Sequence, residues 1–222
     1  PLRKKCVGCQ LQNMTYAEQL AYKQKKEIRL LKAFGRVEPI IGMQNPLHYR
    51  NKVQAAFSYD VRHRRLISGV YQSGSHRIVP VNSCMIEDTV ADKIIVDIRR
   101  LMQDFKFTAY DEDSGRGFIR HVLVKRGFST NQIMVVLVSG TPVFPAKNQF
   151  VKALLKEHPE ITTIIHNVNP YHTNLVLGKQ EKVLFGPGYI EDTLLSCTFR
   201  ISAKSFYQIN PKQTEVLYET AL

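Results

Sequence analysis

The sequence predicts an α+β protein built on a mainly antiparallel sheet with packed helices. Two observations carry that prediction. Short alternating strand patterns outnumber helical ones, and most are joined by tight polar or glycine-containing turns of the kind that close hairpins. With 222 residues, 44% of them hydrophobic, the chain can bury a substantial core.

Taken in order, Cys6 and Cys9 form a C-x-x-C within CVGCQLQ. Thiolates at this spacing converge on one metal centre, and Lys4 and Lys5 beside them favour the ionised form. The pair alone reads as half a zinc site, part of an iron–sulfur cluster, a redox pair or two reduced cysteines. Thr15 to Glu18 is a capping box that opens a helix, with Gly35 as its C′ residue. Tyr16, Leu20, Ile28 and Leu31 mark the apolar face, and Lys25, Arg29, Lys32 and Arg36 make a basic stripe on another.

YRNKVQAAFSYD is an alternating strand with Arg50 and Lys52 on one face and Val53 and Ala55 on the other. Asp60 to Arg65 is a basic turn, and RRLISGVYQ returns as the hairpin partner. His76 ends GVYQSGSH and reads as a hydrogen-bonded structural residue. From Cys84 a helix runs to about Phe105, with Ile86, Val90, Ile94, Ile98 and Leu101 as its core stripe. DEDSGRG is a polar turn. FIRHVLVKRG and NQIMVVLVS pair around Gly127 to Thr130, and Gly115 and Gly117 form no dinucleotide fingerprint. A helix of some ten residues from Ala146, strand ITTIIHNVN, a turn-rich hairpin region TNLVLGKQEKVLFGPGYIED and strand LLSCTFRIS follow, with Cys197 as a buried small hydrophobe. Finally SFYQIN leads into a helix capped by Asn210 with Pro211 in its first turn; Val216, Leu217, Ala221 and Leu222 give that helix an apolar stripe.

Charge is uneven along the chain. The formal net charge is +12, and residues 1–65 hold fourteen Lys/Arg against four Asp/Glu, a net of +10, leaving seventeen against fifteen for the rest. A basic end of this kind points to a polyanion, RNA or DNA before a membrane, because no amphipathic anchor accompanies it. No apolar run approaches bilayer length and PLRKKCVGCQ has no signal-peptide core, so a soluble cytoplasmic protein is expected. Nothing in the sequence points to an obligate oligomer.

SFYQINPKQTEVLYETAL resembles the opening of the S-adenosylmethionine-binding domain of the RNA 5-methyluridine (uracil-5-)methyltransferases, where S-F-x-Q-x-N-x-x-Q leads into the first helix. CVGCQLQ, YRNK and GVYQSGSH resemble further blocks of that family in the same order, so the likeness covers essentially the whole chain. It implies that Gln208 touches the cofactor. It implies a [4Fe–4S] cluster on Cys6, Cys9 and Cys84, as in the 23S rRNA enzymes, with the fourth ligand falling just before Pro1 and absent here. It implies RNA contact through the central domain, where Arg50 and Lys52 lie; Lys25, Arg29 and Lys32 extend the basic surface.

In the family a cysteine thiolate adds to C6 of uracil, C5 takes the methyl group, and a carboxylate removes the C5 proton. The sequence stops short of the family's Gly-rich loop, D-P-P-R and S-C-N-P motifs, so no catalytic residue is expected in it. The expected division is a cysteine-bearing segment and basic helix at 1–42, an RNA-recognition domain at 43–203, and the start of a Rossmann-like methyltransferase domain at 204–222. The alternatives are a tRNA uracil-5-methyltransferase and a non-catalytic, metal-stabilised RNA-binding module.

Overall fold

The computed structural model describes Cys6 and residues 8–222; Lys4 and Lys5, expected beside the cysteines, lie outside them. The chain divides into two compact units, Pro1–Pro46 and Leu47–Leu222.

In the smaller unit α1 spans Tyr16–Leu31 and opens on the predicted capping box: Glu18 N–H donates to Thr15 Oγ1, and Thr15 N–H donates to Glu18 Oε2 at 2.6 Å. Its Tyr16 hydroxyl accepts from Met43 N–H at 2.6 Å, and its Gln24 amide bridges the backbones of Glu38 and Ile40. These contacts hold the returning segment along the helix, yet α1 contains no buried residue. Of the predicted apolar face, Tyr16 and Leu20 are half-buried while Ile28 and Leu31 are exposed. The helix ends sooner than predicted. Lys32 is its C-cap, so Gly35 is not the C′ residue and Arg36 lies beyond the last turn, paired with Glu38 at 3.0 Å.

The larger unit is α+β. Its seven-stranded sheet has the order β3-β2-β1-β4-β5-β6-β7, with β1 Lys52–Asp60, β2 Arg65–Tyr71, β3 Ile78–Pro80, β4 Ile119–Arg126, β5 Ile133–Ser139, β6 Ile161–Val168 and β7 Gln180–Phe185. Every neighbouring pair is antiparallel except β5 and β6, whose parallel pairing needs the crossover that α3 (Lys147–Glu157) supplies. α2 (Thr89–Asp104) and α3 cover one face: Ile94, Ile98, Met102, Phe150 and Leu154 meet Val53, Phe57, Val122 and Val135. Asp88 caps α2 by accepting from Ala91 N–H, so the helix starts five residues after Cys84 rather than at it, and Ile86 precedes it.

The other face of β4, β5 and β6 is covered by a separate hairpin, β8 (Ile190–Leu194) with β9 (Cys197–Ile201), through Ile190, Ile201 and Ala203 against Leu123, Val136 and Ile165. The region predicted as one hairpin is therefore split: β7 extends the large sheet beside β6, and β8 pairs with β9. Only Ile201 of β9 is buried, which leaves Cys197 exposed instead of in the core. α4 (Pro211–Ala221) follows, with Asn210 Oδ1 accepting from Gln213 N–H and Pro211 in its first turn, as predicted.

Candidate functional site

Between β9 and α4 the chain runs without regular structure, and buried polar groups from three places hold it. Lys125 is the first. It interrupts the apolar run of β4, is 6% exposed, and donates from Nζ to the carbonyls of Ser202 and Ser205 at 2.9 Å each. Burial, then the nearby Lys52, pulls its ammonium down to about 8, while Glu181 acts the other way.

Asp192 of β8 is the second. It is fully buried and accepts from Phe128 N–H at 3.2 Å, Ser129 N–H at 2.9 Å and the Tyr207 hydroxyl at 3.1 Å. Burial and then the charge of Asp192 raise the Tyr207 phenol above its ordinary value. Gly127 opens the turn that brings those two amides to Asp192; a Cβ there would stand 2.5 Å from Thr130 Oγ1 and 2.8 Å from Glu191 O. Asn51 is the third. Its N–H donates to Ile209 O and its Nδ2 to Gln208 O, both at 3.1 Å.

Gln208 is thus pinned by its main chain, while its half-buried side-chain amide makes no hydrogen bond among the described residues. Two positions before it, Phe206 is 86% exposed. A fixed backbone presenting one amide and one aromatic ring is suited to holding a flat or polar ligand. Lys125 and Asp192 were not singled out from the sequence. Part of their signal was there: Lys125 follows the apolar run Val122–Val124 of β4, and Asp192 shares the alternation of β8 with Ile190 and Leu194, and a charge at an inward position is tolerated only when hydrogen-bonded.

The cysteines stand in different settings. Cys6 and Cys9 are half-buried and reduced. A Cβ on Gly8 would lie in ordinary contact with Cys6 Sγ, at 3.5 Å, and Gln12 Nε2 donates to Cys6 O at 3.0 Å. Two cysteines at this spacing can serve one ion or cluster. Cys84, in the larger unit, lies between β3 and α2 and donates its N–H to Asp92 Oδ2 at 2.7 Å. Its thiol is pushed up, first by burial and then by Glu87, with Asp92 adding to it; a bound cation would offset that cost. Glu87 is itself raised to about 7 by burial and by Asp92.

Of the cations expected to meet RNA, Lys25 and Arg29 are exposed on α1 and Lys32 is exposed at its C-cap. Lys52 is exposed at the start of β1. Arg50 lies just outside β1, half-buried, bridged through its backbone to Glu87, and its charge partly offsets the rise in that carboxyl. His76 is exposed and 3.0 Å from Asp113 Oδ1, in keeping with a structural role. In the larger unit Asp97, Glu157 and His158 bring three ligand atoms together, but Arg100 ion-pairs with both carboxylates and makes this a salt-bridge network.

No family model matches the chain. Curated relatives do. An uncharacterized RNA methyltransferase of Halalkalibacterium halodurans is 43% identical over 227 residues, covering 100% of this chain and 49% of its own length. One of Oceanobacillus iheyensis is 44% identical over 98% of the chain, and one of Clostridium acetobutylicum 41% over 99%. The chain is similar to these RNA methyltransferases along essentially its whole length. It spans about half the length of the curated relatives it matches. The fold is also similar to that of a solved structure, the tRNA (uracil-54, C5)-methyltransferase of Pyrococcus abyssi in complex with S-adenosyl-L-homocysteine. The likeness has a TM-score of 0.80 at 22% identity and takes in 98% of this chain and 51% of that one. No helix among the described residues is long and apolar enough to cross a membrane.

Proposed function

We propose that this chain is the RNA-recognition and cofactor-approach part of an S-adenosylmethionine-dependent methyltransferase acting on C5 of a uridine in RNA, with 23S rRNA as substrate and the cytoplasm as its place of work. The observation that carries the reading is identity above 40% along essentially the whole chain to RNA methyltransferases. The cofactor supplies the methyl group. Within this chain Gln208 would meet it, and the pinning of residues 202–209 by Lys125, Asp192 and Asn51 supports that role because it fixes the amide before any ligand arrives. The nucleophile and base would lie in the part of the relatives that this chain does not cover.

Cys6, Cys9 and Cys84 would hold a [4Fe–4S] cluster, with the fourth ligand supplied from outside these 222 residues. The half-buried setting of all three reduced thiols is the feature that suits it. Lys25, Arg29, Lys32, Arg50 and Lys52 would contact the RNA. The test is methyl transfer from labelled S-adenosylmethionine by the full-length protein, prepared without oxygen, to rRNA and tRNA transcripts, followed by mapping of the modified base. Label at uracil C5 of rRNA is expected. Label on tRNA alone moves the substrate assignment, and none on either RNA overturns the reading. The 222 residues by themselves are expected to transfer no methyl group.

A further inference from the structure

We propose that the tip of the β1–β2 hairpin, together with Arg99 of α2, forms a phosphate-binding site for the backbone of the RNA substrate. The inference rests on the RNA reading above and adds a site to it. Arg62, Arg64 and Arg65 are all exposed at the tip. The one carboxylate there, Asp60, is already engaged: it accepts from His63 N–H at 3.2 Å and sits 2.7 Å from His63 Nδ1. It therefore shapes the turn instead of neutralising the arginines, none of which makes an ion pair among the described residues.

Arg99 supplies the second observation. It is half-buried and held by neutral groups alone, Ser68 Oγ at 3.1 Å and Asn82 Oδ1 at 2.8 Å. Arg65 is close enough to lower its pKa further, after burial has done most of that. A half-buried guanidinium that no acid pairs, with a second cation near enough to be felt, is a cost to the fold that a bound anion would offset. The next residue on the same helix shows the contrast. Arg100 meets Asp97, Asp104 and Glu157 and is left with no unmet charge.

Planar guanidinium groups bind phosphate oxygens in pairs, so Arg99, held by Ser68 and Asn82, together with three exposed arginines at the hairpin tip suits a chain of phosphates better than one isolated ion. Tyr59, 50% exposed just before the turn of the same hairpin, offers a ring on which an unpaired base can stack.

The experiment measures binding of the full-length protein to a fluorescent rRNA stem-loop transcript across salt concentrations. Replacing Arg62, Arg64 and Arg65 together by Gln is expected to lower the slope of log K against log salt by about two to three units, and Arg99→Gln by about one. Arg99→Lys, which keeps the charge, should restore most of the slope, and circular dichroism should show every variant folded. Arg100→Gln should leave the slope unchanged. If the wild type binds the transcript and the triple variant keeps its slope, this site is overturned while the RNA reading stands. An equal loss from Arg100→Gln would reduce the effect to net charge and overturn the site as well. A wild type that binds anionic vesicles but no RNA would overturn both.

Discussion

Helices α1 and α2 have the same length, sixteen residues, and both begin on a side-chain cap, Thr15 in one and Asp88 in the other. Their fates differ. α2 buries seven residues, among them Ile94, Ile98 and Met102, whereas α1 buries none. Caps and periodicity decide that a helix forms; what packs on it decides how much it contributes to stability. A helix that contributes little to the core is free to spend its surface on a partner, and the basic residues of α1 lie on such a helix.

The largest expected effect breaks the comparison at its buried end. Ile98 is 0% exposed, so Ile98→Ala should cost about 2–5 kcal/mol in urea denaturation. Leu20→Ala in α1, removing a half-buried side chain, should cost less than about 1 kcal/mol. Equal losses would show that α1 is a core helix after all.

Next comes the pinned segment before α4, which is irregular like the N-terminal loop yet held by buried charge. Asp192→Ala leaves two amides and the Tyr207 hydroxyl without their acceptor, and should cost about 2–3 kcal/mol. It should also expose the bonds around Phe206 to limited proteolysis. Unchanged cleavage would mean that Lys125 and Asn51 suffice to hold the segment.

Much of this was legible before any coordinates, because the signals are local. The capping box at Thr15, the Asn210–Pro211 start of α4 and the β4–β5 turn at Gly127 each depend on residues within a few positions of one another. What escaped depends on distant partners. β7, whose QEKVLF runs from polar to apolar, fits either a private hairpin or an edge of the large sheet, and only β6 decides. Cys197 reads as a core residue until β9 turns out to be covered at Ile201 alone. Lys125 and Asp192 gain their meaning from carbonyls, amides and a hydroxyl up to eighty positions away.

A third effect is proton-linked. His166 lies against Phe144, with Nε2 2.6 Å from Ser139 Oγ, and burial pulls its pKa down to about 4. The unfolded chain takes up a proton near 6.5 where the folded one does not, so this stability is complete above pH 6.5 and is lost as pH falls towards 4. Glu87, raised to about 7, acts in the opposite direction between 4.5 and 7, so the comparison must be between variants. Relative to wild type, His166→Gln should lose about 2 kcal/mol less between pH 6.5 and pH 4. Identical acid limbs would place the proton uptake elsewhere, with His121, also lowered to about 4, the first place to look.

The smallest effect returns to α1. Arg29 and Lys32 are exposed, and no ion pair holds either among the described residues. Their replacement by Ala should therefore leave stability within about 0.5 kcal/mol of wild type. If the stripe follows a phosphate backbone, the same change should flatten the salt dependence of RNA binding by up to about one unit per residue. Arg36 sharpens the point. It was expected on the stripe but lies past the C-cap and pairs with Glu38, so Arg36→Ala should change the slope less than either of the others. An ordering with Arg36 first would mean that the RNA follows the loop after α1 and not the helix; no change from any of the three would make the stripe a solvated surface.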